Sequence, residues 1–348
     1  MQICESVVLL PQLETKGTAM KSKIFLTSLA LVLTVAVTAF PREIKKEFKE
    51  SFKVREGVTL YLKHDDGDVV IRTWTRDVID VDISYRASVT SIGSDDEYDF
   101  NVEFKQTDDG IYVTGQESAP RSGIRNRRIH EYIYEIRVPV YADLNIDGDD
   151  GDVVISDSEG QIVIDLEDGD LELENVDSEH IRIRLEDGDM SMTKCEGDID
   201  IEAEDGDILL KACTGVTLGV RVEDGDIGIV DTQGDVDIRA EDGDVKLENI
   251  RTEKVVLRTA DGDIVIDGLK SDELDLDIET QDGDVRISVE KGLSAAYRVE
   301  TDDGTLRVSL PNAEKDRNGE WVKGEMNGGK GSLHIKTEDG DVFLRESR

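Results

Sequence analysis

Bases, aromatics, prolines and cysteines are all scarce in this chain. Aromatics make up 5% of its 348 residues, and there are 5 prolines and 3 cysteines. Lys and Arg number 41 against 80 Asp and Glu, giving a formal net charge of −39. So few bases exclude a nucleic-acid binder, whose recognition needs a basic footprint. Anionic membrane surfaces should repel the chain too, which leaves cations or basic surfaces as its natural partners. Cys4 lies ahead of the mature chain expected below, and Cys195 and Cys213 alone make no disulfide framework. Few aromatics with 35% charged residues is a composition shared with disordered chains. Here, however, the apolar residues alternate in short runs, which points to a folded β protein.

Long apolar runs are missing as well, with one partial exception. Ile24 to Val37 is uncharged and mostly apolar, follows the basic Met20-Lys21-Ser22-Lys23, and leads into Val37-Thr38-Ala39. These are the three parts of a secretory signal peptide, expected over 1–39 with Met20 as a candidate start. The run is shorter than the roughly 20 residues of a membrane-spanning helix. The sequence therefore predicts an exported mature chain without a membrane span, in the periplasm, at the cell surface or outside the cell. No cysteine follows the run to carry a lipid anchor. Removing 1–39 takes away Glu5, Glu14, Lys16, Lys21 and Lys23, and leaves 78 acids against 38 bases.

What the chain has in abundance is one phrase, Asp-Gly-Asp. The glycines of this acidic turn fall at 151, 169, 188, 206, 225, 243, 262, 283 and 304. The spacing is 18–19 residues, widening to 21 at the end, with weaker glycines midway at 160, 197, 215 and 234. A fixed period of this size marks a solenoid. Counting from each glycine, positions +2, +4 and +7 are mostly apolar, as in Leu171, Leu173, Val176 and in Ile208, Leu210, Cys213. A second alternating run, such as Ile181-Ile183-Leu185, precedes the next triplet. Period-two alternation means strands with one buried face. The expected fold is all-β: a parallel β-solenoid over 146–348, with 18–19 residues and two short strands per coil. A loop insertion is expected at 311–331, and a less regular β-strand capping region over 40–145. The rival is a hairpin meander, for which Asp-Gly between alternating strands is also a signal. Like residues at like positions in every repeat favour stacked coils. Gln116 to Glu131, with Arg121, Arg125, Arg127 and Arg128, reads as a polar loop and a possible partner contact.

The Gly-Asp-Val/Ile turns, Val138-Pro139-Val140 leading into "GDVVIS" at 151–156, and the strand containing Trp74 resemble a bacterial β-strand-repeat family known as putative adhesins. The resemblance covers roughly 50–348. It implies a fold and an exported or envelope location, and it supplies no catalytic residues. The family often has Ser or Asn before the turn glycine, where this chain has Asp almost throughout.

In a solenoid, equivalent residues of successive coils lie ~4.8 Å apart. The aspartates before glycine (Asp168, Asp187, Asp205, Asp224, Asp242, Asp261, Asp282) and after it (Asp170, Asp189, Asp207, Asp226, Asp244, Asp263, Asp284) would form two carboxylate ladders along one edge. Glu167, Glu186, Glu204, Glu223 and Glu241 stand beside them. Neighbouring like charges at that spacing repel by roughly 0.9 kcal/mol even in bulk water. Summed along the edge, this rivals the marginal stability of a domain, about 5–15 kcal/mol. Ca2+, which prefers several oxygen ligands, would relieve it, so these fourteen aspartates are the candidate metal ligands. Each triplet also has a metal-free reading: Gly supplies positive φ, Asp bonds nearby backbone N–H groups, and charge keeps β edges apart.

Cys195 and Cys213 share position +7 of adjacent coils and read as two buried core thiols. His64, His130, His180 and His334 do not cluster, and neither Gly-x-Ser-x-Gly, His-Glu-x-x-His nor a phosphate loop is present. The sequence reading is an exported, non-catalytic structural or adhesin-like protein with no certain cofactor and an unknown envelope, surface or extracellular partner. A calcium-dependent scaffold is the alternative, and a carbohydrate-active β-helix enzyme comes third.

Overall fold

The computed structural model describes residues 42–92, 99–118 and 124–347; the expected signal peptide and Arg121 lie outside them. All regular structure among the described residues is β-strand, and no helix there is long and apolar enough to cross a membrane. Each coil gives one strand to each of two sheets. Ile162–Asp168 is followed by Leu171–Glu174, Asp177–Asp187 by Met190–Thr193, and Glu196–Asp205 by Ile208–Lys211. Like strands pair in parallel and in register: Ile162 opposite Ile181, Ile181 opposite Ile199, Ile199 opposite Leu218. The partner sheet runs Leu171, Met190, Ile208, Ile227 in the same way. A meander would have paired successive strands antiparallel, so the stack is a β-solenoid.

Alternation decides which side chains enter the space between the sheets. Positions +2, +4 and +7 are buried coil after coil, from Leu171, Leu173 and Val176 to Ile264, Ile266 and Leu269. Cys195 and Cys213 belong to this column and are both buried and free. The chain returns to the first sheet through a second corner at position +6. There Asp157, Asn175, Lys194, Ala212, Asp231 and Asn249 all take a left-handed conformation, with φ between 53° and 62°. Asn175 Nδ2 donates to Asp157 Oδ1 at 2.6 Å, and Asn249 Nδ2 to Asp231 Oδ1 at 3.1 Å. Short polar side chains are the non-glycine residues that visit this region most readily.

Coil order in space departs from coil order in sequence at both ends. Near the N-terminus, Thr59–His64 and Asp68–Trp74 stack directly on Asp143–Asp150 and Val153–Ser156. The intervening chain passes to the other side of that coil. It adds Gly110–Ser118 and Ile124–Pro139 in parallel, then Asp99–Gln106 and Val78–Ile92 as antiparallel caps, and Arg42–Lys53, which precedes the first coil, pairs antiparallel with Val78–Ile92. The outermost strand, Arg42–Lys53, carries Lys45, Lys46, Lys49 and Lys53, a charge pattern that discourages edge-to-edge pairing. At the other end, Gly331–Asp339 lies between Asp275–Asp282 and Ala295–Asp303. The coil that closes the sequence is therefore not the coil that closes the stack. A cap closes it, because segment 311–331 is not a plain loop. Glu314–Lys315 and Trp321–Met326 form a hairpin, with Trp321–Met326 antiparallel to Ala295–Asp303.

The expected polar loop 116–131 is likewise largely paired. Arg125, Arg127 and Arg128 lie on Ile124–Pro139, opposite Ser91, Val89 and Ser88. Residues 128–130 are exposed in succession, so no face is buried there and no alternation announces the strand.

Candidate functional site: the aspartate edge

The triplets form the corner that carries the chain from the first sheet to the second. Asp168, Asp187, Asp205, Asp224, Asp242 and Asp282 each end a strand, the glycine that follows turns with positive φ, and the second aspartate precedes the next strand. Parallel pairing continues through the corner on the backbone. Gly188 N–H donates to Asp205 C=O at 3.1 Å, and Met190 N–H to Asp207 C=O at 2.9 Å. The N–H of the second aspartate faces a side chain instead. Asp189 N–H donates to Asp170 Oδ1 at 2.9 Å, Asp207 N–H to Asp189 Oδ1 at 3.0 Å, and Asp226 N–H to Asp207 Oδ1 at 2.9 Å. The same bond joins Asp244 to Asp226, Asp263 to Asp244, Asp284 to Asp263 and Asp341 to Asp284. Asp68 starts the run by accepting from Asp152 N–H at 3.4 Å, Asp152 accepts in turn from Asp170, and Thr305 N–H ends it on Asp341.

The post-glycine carboxylates are thus structural acceptors. Each one satisfies a backbone donor of the next coil that the corner would otherwise leave unpaired, and bonds to ionised acceptors are the stronger kind. Asp207→Ala is therefore expected to cost about 0.5–1.5 kcal/mol by removing the acceptor of Asp226 N–H. Asp207→Asn keeps an acceptor oxygen and removes a charge, so its urea midpoint should stay near that of the parent. Equal losses in both variants would contradict the ladder.

The pre-glycine aspartates behave differently. Asp168, Asp187, Asp205, Asp224 and Asp242 stand in register and are exposed. Asp261 leaves the column. Strand Lys254–Thr259 stops two residues short of it, and its N–H turns to Glu241 C=O at 2.8 Å. Asp282 is paired in register with Asp339. Within the column, partial desolvation and the charges of Asp224 and Asp187 push the Asp205 carboxyl above its ordinary range. Desolvation together with Glu204 and Glu167 does the same to Glu186. The post-glycine column beside it is relieved at one end. There the Arg286 guanidinium reaches Asp263 Oδ2 at 2.8 Å and Asp284 Oδ2 at 2.5 Å, and it holds Asp263 below the usual carboxylate range.

Among the described residues, the ladder aspartates form no group of three whose ligand oxygens all lie within 4.8 Å of one another. The histidines lie apart. His64 is buried, Nε2 of His130 lies 2.7 Å from Ser88 Oγ, His180 is exposed beside Asp198, and His334 faces Asp277.

A further polar pattern, at position −4 from each glycine, escapes the sequence reading. On the outer face of the first sheet Asp165, Arg184, Glu202 and Arg221 are consecutive register partners. Arg184 Nη2 meets Glu202 Oε2 at 3.1 Å, and Arg221 Nη1 meets Asp200 Oδ1 at 2.9 Å. In these coils the arginines pair on the outer face, and the triplet edge beside them keeps its acidity.

A family model described as Toastrack DUF4097 matches residues 59–234 and 216–345. That span is close to the one over which the Gly-Asp turns carry the adhesin resemblance. No curated protein matches the chain. Among solved structures, a putative adhesin from Bacteroides fragilis is 14% identical, with a TM-score of 0.40, over 70% of this chain and 97% of its own. A putative cell adhesion protein from Clostridium sporogenes is 10% identical, with a TM-score of 0.20, over 87% of this chain and all of its own. With its Gly-Asp corners, two-sheet coils and matched span together, the chain belongs to the Toastrack DUF4097 family.

Proposed function

We propose that this chain is an exported, non-catalytic, adhesin-like β-solenoid, and that its acidic edge is the surface it offers to a partner in the envelope or outside the cell. The observation that carries this is the division of labour along the edge. Post-glycine aspartates fix the corners through backbone N–H groups, while the pre-glycine aspartates and Glu186, Glu204 and Glu223 project outward at one-strand intervals. A rigid row of carboxylates suits a basic protein surface. The test is adsorption of the labelled full chain to cells and to extracellular material, beside a Glu186→Gln/Glu204→Gln/Glu223→Gln variant. The substitutions leave the corner hydrogen bonds in place, so a fold-intact variant should lose most of its binding. Adsorption equal to the parent's would remove the edge from the reading.

Calcium is the second reading, favoured by the unrelieved crowding that raises Asp205. On this reading Ca2+ bridges the pre-glycine carboxylates and stabilises the fold by mass action, about 1.4 kcal/mol per site at ten times its Kd. Millimolar Ca2+ at fixed ionic strength should then raise the Tm by several degrees, and an unmoved Tm would discard calcium.

A further inference from the structure

The seam where the last coil slips into the stack carries its own cluster of ligating groups. Asp277 and Glu279 lie on Asp275–Asp282, and His334 lies on the adjacent parallel strand Gly331–Asp339, in register with Asp277. Among the described residues, these three are the one set of His, Cys, Asp or Glu whose ligand atoms all lie within 4.8 Å of one another. His334 Nδ1 is 3.1 Å from Asp277 Oδ1, across 57 residues of sequence. Ser332 Oγ donates to Asp275 Oδ1 at 2.7 Å on the same seam, which fixes the register of the two strands. Asp277 and His334 are half-buried and Glu279 is exposed, so a solvated ion can reach all three.

We propose that Asp277, Glu279 and His334 bind one divalent cation of the zinc type, which pins the inserted C-terminal coil to the coil before it. The donor set selects the metal. One imidazole nitrogen with two carboxylates suits Zn2+ and its first-row neighbours, whereas Ca2+ and Mg2+ prefer oxygen alone. Three protein ligands leave a further position for water. The site differs in place and donor chemistry from the aspartate edge. Arg258 is its built-in competitor: its guanidinium pairs with Asp277, and its Nε lies 3.0 Å from Glu279 Oε2. Those bonds, with that from His334, outweigh burial and hold the Asp277 carboxyl below its ordinary value. Lys336, on the His334 strand, is the register partner of Glu279, and Arg298, on the strand beyond, is that of His334. A metal entering the site has to displace Arg258, and that gives the proposal a two-sided test.

The experiment is calorimetric titration of Zn2+ into the full chain at pH 7.5, with excess Ca2+ occupying the general acidity of the edge. One Zn2+ per chain is expected. His334→Ala and Glu279→Gln should each weaken binding at least tenfold, while Arg258→Gln should tighten it. The same Zn2+ should raise the Tm of the parent and leave that of His334→Ala unmoved, a comparison that also shows whether the variant is folded. Zinc affinity indifferent to His334→Ala would assign the ion to the acidic edge and overturn the proposal. An Arg258→Gln variant that binds no more tightly would overturn it as well, since the guanidinium would then not occupy the site.

Discussion

Gly206→Ala is expected to destabilise the solenoid by about 3–5 kcal/mol, more than any side-chain truncation along the acidic edge. Two costs add. Gly206 has φ +135°, a conformation that L side chains rarely adopt, and a Cβ there would stand 2.0 Å from the carbonyl oxygen of Gly188. That oxygen is backbone of the neighbouring coil and cannot step aside without parting the stack. The contact recurs up the column, as at Gly225 against Gly206 and Gly243 against Gly225. Gly57 provides the control. It has φ +83°, and a Cβ added there would have nothing within 4 Å, so Gly57→Ala should show only the conformational cost, about 1–2 kcal/mol. Urea unfolding of the two variants separates strain from collision. Because each coil of a solenoid leans only on its neighbours, the Gly206 defect should also broaden the transition as the halves on either side uncouple. Similar small losses in both variants would mean that the coils stand further apart at this corner than one strand spacing.

The glycine column shows why so much of this fold is legible in the sequence. A position that must be glycine in every coil, followed by apolar residues at +2, +4 and +7, is a constraint imposed by stacking, and a period imposed by stacking can be read directly. The order of the coils cannot. Thr59–Trp74 and Gly331–Glu346 have the same corner and the same alternation as any interior coil, so each fits any slot. The sequence specifies the coil, while the long excursion 78–139 and the hairpin 314–326 decide the slot. The edge was half legible. Its two carboxylate columns follow from the period, and so does their repulsion. That one column is occupied by backbone N–H groups depends on a corner geometry that no residue count reveals. At +6, the Asn and Asp residues did signal the left-handed corner, but Lys194 and Ala212 in the same column diluted the signal. The seam cluster was the least visible, because Asp277 and His334 meet only through the out-of-order coil.

Position −3 from each glycine points into the core and is held by Leu166, Leu185, Ala203 and Val222; in the first coil it is His64. The fold makes room for the ring. His64 is the register partner of Gly148 on one side and Gly115 on the other. A Cβ on Gly148 would meet His64 Nε2 at 2.3 Å, and one on Gly115 would meet Tyr134 Oη at 1.9 Å. His64 is fully buried, neither ring nitrogen has a hydrogen-bond partner, and Tyr134, whose hydroxyl is paired with that of Tyr132, lies against the ring at 5.5 Å. Burial lowers its pKa from 6.5 to about 4; Lys63 adds to that shift, while Asp147, Asp65 and Asp66 oppose it. The unfolded chain therefore binds a proton that the native chain refuses, so stability falls as pH drops from 6.5 towards 4, by up to about 1.4 kcal/mol per pH unit. The full loss between pH 8 and pH 4 is on the order of 3 kcal/mol. Nearby carboxyls act in the opposite sense. Asp65, Asp149 and Asp150 are raised first by burial and then by neighbouring carboxylates, Asp66 beside Asp65 and Asp150, and Asp65 beside Asp149, so the stability they add in acid is lost as pH rises through their folded pKa values. Comparing variants isolates the imidazole. His64→Phe keeps a ring between the two glycines and removes the titration, so urea unfolding at pH 8 and pH 4 should show the variant gaining on the parent by that ~3 kcal/mol as the pH falls. Parallel pH profiles would show that the ring is protonated or hydrogen-bonded inside the fold, and the interior of the first coil would then be wetter than its packing indicates.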